Sequence, residues 1–276
     1  MIDAHVHFWH YRAEDYAWIG SEMLPLRQDR LPEDLAACLR GQGVSAAVAV
    51  QARCDEAENT LLLDLAARHD WIAGVVGWLD LRGADVAARL DGYADAVRLK
   101  GFRHIVQDEP DPAAYWRDAA FLRGVGLLHQ RGYSYDLLAH QRDLAAVADF
   151  CARADGGTLI LDHLGKPEFA SAAAFDDWRA QMRRLAAMPH VAVKISGLVT
   201  ECGAGCTAAD VRPYVHTAFE LFGSDRVLFG SDWPVCTLTH DYADVCRHWR
   251  ECAAVLGDAE REAAESGNAR RLYRLD

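Results

Sequence analysis

The chain has 276 residues, with 29 Lys and Arg against 41 Asp and Glu, a formal charge of −12 and a pI of about 5.4. Neutralising a polyanion takes a basic face and usually a pI above roughly 9, so nucleic acid and anionic membrane surfaces are disfavoured as partners. Hydrophobic residues make up 51% and charged residues 25%, the balance of an ordinary globular protein rather than a disordered or disulfide-framed one. No uncharged apolar run reaches about 18 residues, and the first strand-like segment starts at Ile2, so no signal peptide is expected and a cytoplasmic location is. In a reducing compartment the eight cysteines read as thiols, with Cys202 and Cys206 in a small-residue loop rather than a zinc finger.

Short apolar runs alternate with longer amphipathic ones from end to end. The expected strands are 2–9, 46–51, 73–81, 99–107, 134–139, 158–163, 191–196 and 227–231. Runs such as AAVAV, TLIL and RVLF are apolar at every position, as strands covered on both faces are. Between them, segments such as 59–69, 141–154 and 176–187 place apolar residues three and four apart, the helical spacing. Strand and helix in alternation predict βαβ units and a parallel sheet, and eight units in 276 residues predict a single (β/α)8 TIM barrel spanning 1–276. The longest strand-to-helix connection, from His10 to Leu31, belongs at the C-terminal face, as a lid or as an excursion packed on the rim.

Polar residues at the ends of those strands are the candidates for chemistry, because that face of a barrel carries the active site. Residues two apart share a face of a strand, so Asp3, His5 and His7 are expected inward and Ile2, Ala4 and Val6 outward. The same parity groups Leu159, Leu161 and His163, and separately Leu228, Gly230 and Asp232, where Gly230 leaves room beneath the carboxylate. Three imidazoles and one carboxylate converge on one pocket, a donor set that suits zinc. Arg103 and His104 have opposite parity, and Arg103 is expected inward.

These motifs run IDAHVHFW, AGVVGWLDL, KGFRHIVQDEPD, SYDLL, LDHLGKP, VKISGLVTE, FGSDRVLFGSDWPV and NARRLY. In that order the chain resembles the amidohydrolase superfamily, its amidohydrolase-2 group, and within it the sugar-lactone hydrolases of the L-fuconolactonase and L-rhamnonolactonase type. The resemblance implies hydrolysis of a sugar-acid lactone to the aldonic acid. It also implies His5, His7, His163 and Asp232 at the metal position and Arg103, His104, Lys194 and Ser196 on the signature strands.

Opening a lactone needs an activated water, stabilisation of an oxyanion and a proton for the departing ring oxygen. Asp232 is the expected general base, with His163 and Arg103 also catalytic. The histidines either bind one divalent cation, zinc foremost, or donate hydrogen bonds to the oxyanion. Arg103, His104, Lys194 and Trp18 are the expected substrate contacts, Lys194 otherwise pairing with carboxylates. Two other reactions fit the same barrel: metal-dependent decarboxylation, which would call for several arginine clamps, and hydrolysis of a muconolactone or pyrone-type lactone. The sequence leaves monomer and homodimer equally open.

Overall fold

The computed structural model describes residues 1–275. Eight parallel strands follow one another around the sheet in chain order. They are β1 (Ile2–Val6), β2 (Ala46–Val50), β3 (Ile72–Gly77), β4 (Leu99–His104), β5 (Ser134–Leu137), β6 (Leu159–Leu161), β7 (Val191–Ile195) and β8 (Val227–Phe229). The ring closes just beyond β8, where the Asp232 amide donates to the His5 carbonyl at 2.9 Å and the His7 amide to the Trp233 carbonyl at 2.7 Å. This is the (β/α)8 barrel expected from the alternating pattern, with strands ending earlier than the apolar runs suggest.

Alternate strand residues divide between two cores. Val6, Ala47, Ala49, Val75, Leu99 and Leu161 pack outward against helices such as Glu56–Arg68, whose Leu62, Leu65 and Ala66 meet them. Asp55 caps that helix by accepting from the Ala57 amide, satisfying a donor its first turn leaves free. Ile2, Ala4, Val48, Val50, Val76, Ile160, Ala192 and Leu228 fill the barrel interior instead, together with Ala269, Tyr273 and Leu275 of the C-terminal segment. Helix Asn268–Tyr273 thus closes the bottom of the barrel, away from the strand ends.

Two expected parities are corrected. In β1 the register against β2 shifts between Asp3 and Val6, so Ala4 and His5, neighbours in sequence, both face inward. Asp3 points out to helix Tyr242–Ala253, accepting from the Ser231 amide at 2.8 Å and the Tyr242 hydroxyl at 3.0 Å. In β6 Leu159 and Leu161 face the helices and Ile160 the interior, so Asp162 rather than His163 continues the inner row. The chain then enters the left-handed region at His163 and Leu164, with φ of 55° and 50°, and this turns His163 inward as well.

The connection from His10 to Leu31 packs on the rim as its own apolar cluster. Tyr16, Ile19 and Leu26 meet Trp9 and Ala52, with Trp18 and Met23 at its edge. Cys202 and Cys206 are joined in a disulfide, where free thiols were expected. Gly203 and Gly205, at φ of 96° and 83°, fold the five-residue segment back until the Cα atoms stand 5.8 Å apart. No helix among the described residues is long and apolar enough to cross a membrane.

Candidate active site

A cavity of about 320 Å³ opens at the C-terminal ends of the strands, within the range of small-ligand pockets. His7, Arg103, His163 and Asp232 line it, with Lys166, Gln107, Asp108, Thr200 and Glu201 as further polar groups. Trp18, Met23, Ala52, Ile105, Leu138, Val235 and Leu238 supply apolar wall.

Two glycines let the catalytic candidates close together. A Cβ at Gly230 would lie 2.9 Å from the His5 Cβ and 3.2 Å from the Ser196 Cβ, so the room it leaves is taken by these two side chains. A Cβ at Gly197, where φ is 65°, would lie 2.8 Å from His163 Nδ1 and 3.2 Å from Asp232 Oδ2.

The imidazole nitrogens set the electrostatics. His7 Nδ1 lies 2.7 Å from the Val50 carbonyl, which only accepts, so Nδ1 carries the proton and Nε2 presents a lone pair. That lone pair stands 3.2 Å from His5 Nε2 and 3.3 Å from Asp232 Oδ1. His5 Nε2 also lies 3.2 Å from Arg103 Nη1, and its Nδ1 lies 3.3 Å from Asp162 Oδ1. His163 Nδ1 is tied to Ser196 Oγ at 2.8 Å, and its Nε2 is 3.9 Å from Asp232 Oδ1.

Asp232 Oδ1 is buried and has no hydrogen-bond partner within the protein. Burial would push the Asp232 carboxyl up, yet the imidazoles of His163, His7 and His5 hold it below the usual carboxylate range. Burial pushes His163 down to about 4 and His5 well below its ordinary value. His5, His7 and Asp232 offer donor atoms within 4.8 Å of one another, and separations of 3.2, 3.3 and 3.7 Å match the ligand-to-ligand spacing of about 3.3 Å around a tetrahedral ion. The residues present therefore fit a divalent metal.

Beneath this group the barrel interior carries a second set of charges. Lys194 Nζ lies 2.5 Å from Asp136 Oδ2, 2.9 Å from Asp162 Oδ1 and 3.1 Å from His5 Nδ1. Arg103 Nη1 donates to Asp162 Oδ2 at 2.9 Å, and its Nη2 to the Gln51 carbonyl. From below, the Tyr273 hydroxyl donates to Asp136 Oδ2 at 2.7 Å. Burial raises Asp136 to about 6 against the opposing pull of Lys194. Asp162 goes the other way: burial would raise it, but Lys194, His5 and Arg103 hold it well below the usual range.

The structure thus gathers His5, His7, His163, Asp232 and Arg103, with Trp18 on the pocket wall through an indole hydrogen bond to the Ala52 carbonyl at 2.8 Å. Two expected substrate contacts lie elsewhere. Lys194 is completely buried below His5 and does not reach the pocket. His104, of opposite parity to Arg103, turns outward, where its Nε2 meets Glu109 at 2.6 Å, its Nδ1 accepts from the Trp78 indole at 2.8 Å, and its ring stacks on Tyr115. Asp162, Gln107, Thr200 and Glu201 were not anticipated; only Asp162 had a signal, its place beside His163 at a strand end.

Imidazoles and a carboxylate gathered at the strand ends of a (β/α)8 barrel define a metal-type enzyme site of the kind on which water is activated. The sequence matches the amidohydrolase family over residues 2–275, and the chain belongs to that family. It is 45% identical to an L-fucono-1,5-lactonase of Burkholderia multivorans, over 99% of this chain and 96% of that protein. An L-fucono-1,5-lactonase of Burkholderia ambifaria is 34% identical, over 100% of this chain and 96% of its own length. A crystal structure of an amidohydrolase from Burkholderia multivorans with bound zinc superposes with a TM-score of 0.94 at 45% identity, covering 100% of this chain and 99% of that one.

Proposed function

We propose that the protein hydrolyses a sugar-acid lactone, of the L-fucono-1,5-lactone kind, to the open aldonic acid. One observation carries the reading: imidazoles converge on the unpartnered Oδ1 of a buried carboxylate in a chain 45% identical, end to end, to an L-fucono-1,5-lactonase. His5, His7 and Asp232 would hold a divalent cation, zinc by the chemistry of the donor set, with His163 beside them. When bound, such an ion polarises a carbonyl and lowers the pKa of a coordinated water to about 7.

The chain's own residues account for the rest of the reaction. Asp232 Oδ2, facing Gly197, takes a proton from the attacking water and returns it to the ring oxygen as the acyl C–O bond breaks. The adding hydroxide leaves an oxyanion, for which Arg103, fixed by Asp162 and the Gln51 carbonyl, offers donors that need no rearrangement. His163, anchored on Ser196, orients the Asp232 carboxylate. Trp18 and Met23 cover the pocket from the rim. Among the described residues Arg103 is the only arginine on the pocket wall, where an anionic aromatic substrate for decarboxylation would call for several.

The test is acid release from a panel of aldonolactones, followed with a pH indicator before and after chelation. Hydrolysis of an L-fucono- or related 6-deoxy-lactone is expected. Failure on every lactone, with carbon dioxide released from a carboxylated aromatic, would replace the reading with a lyase one.

A further inference from the structure

The reaction uses Arg103, His163 and Asp232 on the cavity wall with His5 and His7, and polar atoms of two other lining residues remain without a task. Gln107 Oε1 and Thr200 Oγ1 are both buried, both belong to residues lining the cavity, and neither has a hydrogen-bond partner within the protein. A buried polar atom without a partner costs free energy in the empty protein, and a ligand group that satisfies it recovers that cost. Their places in the ring differ. Gln107 lies in the turn Val106–Asp108 after β4, four strands from β8 and so across the mouth from Asp232. Thr200 lies in helix Leu198–Cys202 after β7, next to Asp232.

We infer that Gln107 and Thr200 determine substrate specificity by accepting hydrogen bonds from two hydroxyls of the lactone ring, one on the Arg103 side of the cavity and one on the Asp232 side. The inference rests on the lactonase reading. An amide oxygen can only accept, so the group at Gln107 must be a donor, as a hydroxyl is and a ring C–H or methyl is not. Trp18, Met23 and Leu238 on the cavity wall are apolar and suit the C–H face and any deoxy carbon of the same ring. A site built to pair with a hydroxyl rejects an analogue that lacks it much more strongly than an apolar site rejects an added hydroxyl.

The experiment compares kcat/KM for a 6-deoxy-aldono-1,5-lactone with that for unsubstituted δ-valerolactone, in wild type, Thr200→Val, Gln107→Leu and the conservative Thr200→Ser. Wild type is expected to favour the sugar lactone. Thr200→Val and Gln107→Leu should each narrow that preference at least about tenfold, chiefly through KM, and Thr200→Ser should keep it. A preference unchanged within about twofold in both variants, or lost equally for both lactones, overturns the inference and leaves the lactonase reading standing. A wild-type enzyme that opens both lactones alike does the same. A wild-type enzyme that opens neither overturns both.

Discussion

The floor and the mouth of the barrel are built from the same residue types and handle charge in opposite ways. On the floor Asp136, Asp162, Lys194 and Arg103 set two carboxylates against two cations in ion pairs of 2.5 to 2.9 Å, sealed from below by Tyr273, although Asp136 Oδ1 and Arg103 Nε make no hydrogen bond. At the mouth Asp232, Thr200 and Gln107 each leave a buried oxygen unpartnered, and the Nε2 atoms of His5 and His7 stand 3.2 Å apart. Charges that balance inside the protein hold side chains in place. Unpartnered oxygens whose residues line an open cavity, as at the mouth, can be satisfied by a ligand. His5 joins the two regions, with Nδ1 on the floor and Nε2 at the mouth.

The largest effect is expected on the floor. Lys194→Met leaves Asp136 and Asp162 buried with half their positive charge removed, and breaking such a pair costs about 3–5 kcal/mol. Urea denaturation should show the loss; unchanged stability would mean that the floor is not a structural unit. Next comes the mouth and its fit to a divalent cation. Zinc at a hundred times its Kd should stabilise the wild-type protein by about 2.7 kcal/mol, read as a rise in Tm, and His7→Gln should abolish most of that rise. Equal shifts in both proteins would place the metal elsewhere.

A smaller effect concerns acid. His163 has a folded pKa of about 4 against an ordinary 6.5, so between these values the unfolded chain binds a proton that the folded one does not. The stability this group contributes is present above pH 6.5 and is lost as the pH falls toward 4. His163→Asn should flatten that part of the stability curve, and an unaltered slope would show that His163 is not buried uncharged.

How much of this was legible follows from which rules the chain obeys. Strands covered on both faces read as unbroken apolar runs, so the barrel was visible, and His5, His7 and Asp232 stood at strand ends where parity led to them. Asp162 was hidden because strict alternation assigns its place to His163, and only the left-handed turn at His163 brings both inward. Asp3 was misplaced for a related reason, the register shift in β1, which no local residue pattern announces. Lys194 faces inward as its parity requires, but parity is silent about depth, and it lies a layer below the substrate. The Cys202–Cys206 pairing depends on two glycines at positive φ, a backbone path that a reading based on compartment alone passes over.

The central claim, that the unpaired carboxylate at the mouth serves chemistry and not folding, is tested most directly by Asp232→Asn. On the lactone turned over best by the wild type, kcat/KM should fall at least about 10²-fold, while the Tm in metal-free buffer stays well above the assay temperature. Near-normal turnover, or an activity loss that merely follows a fall in Tm, would contradict it.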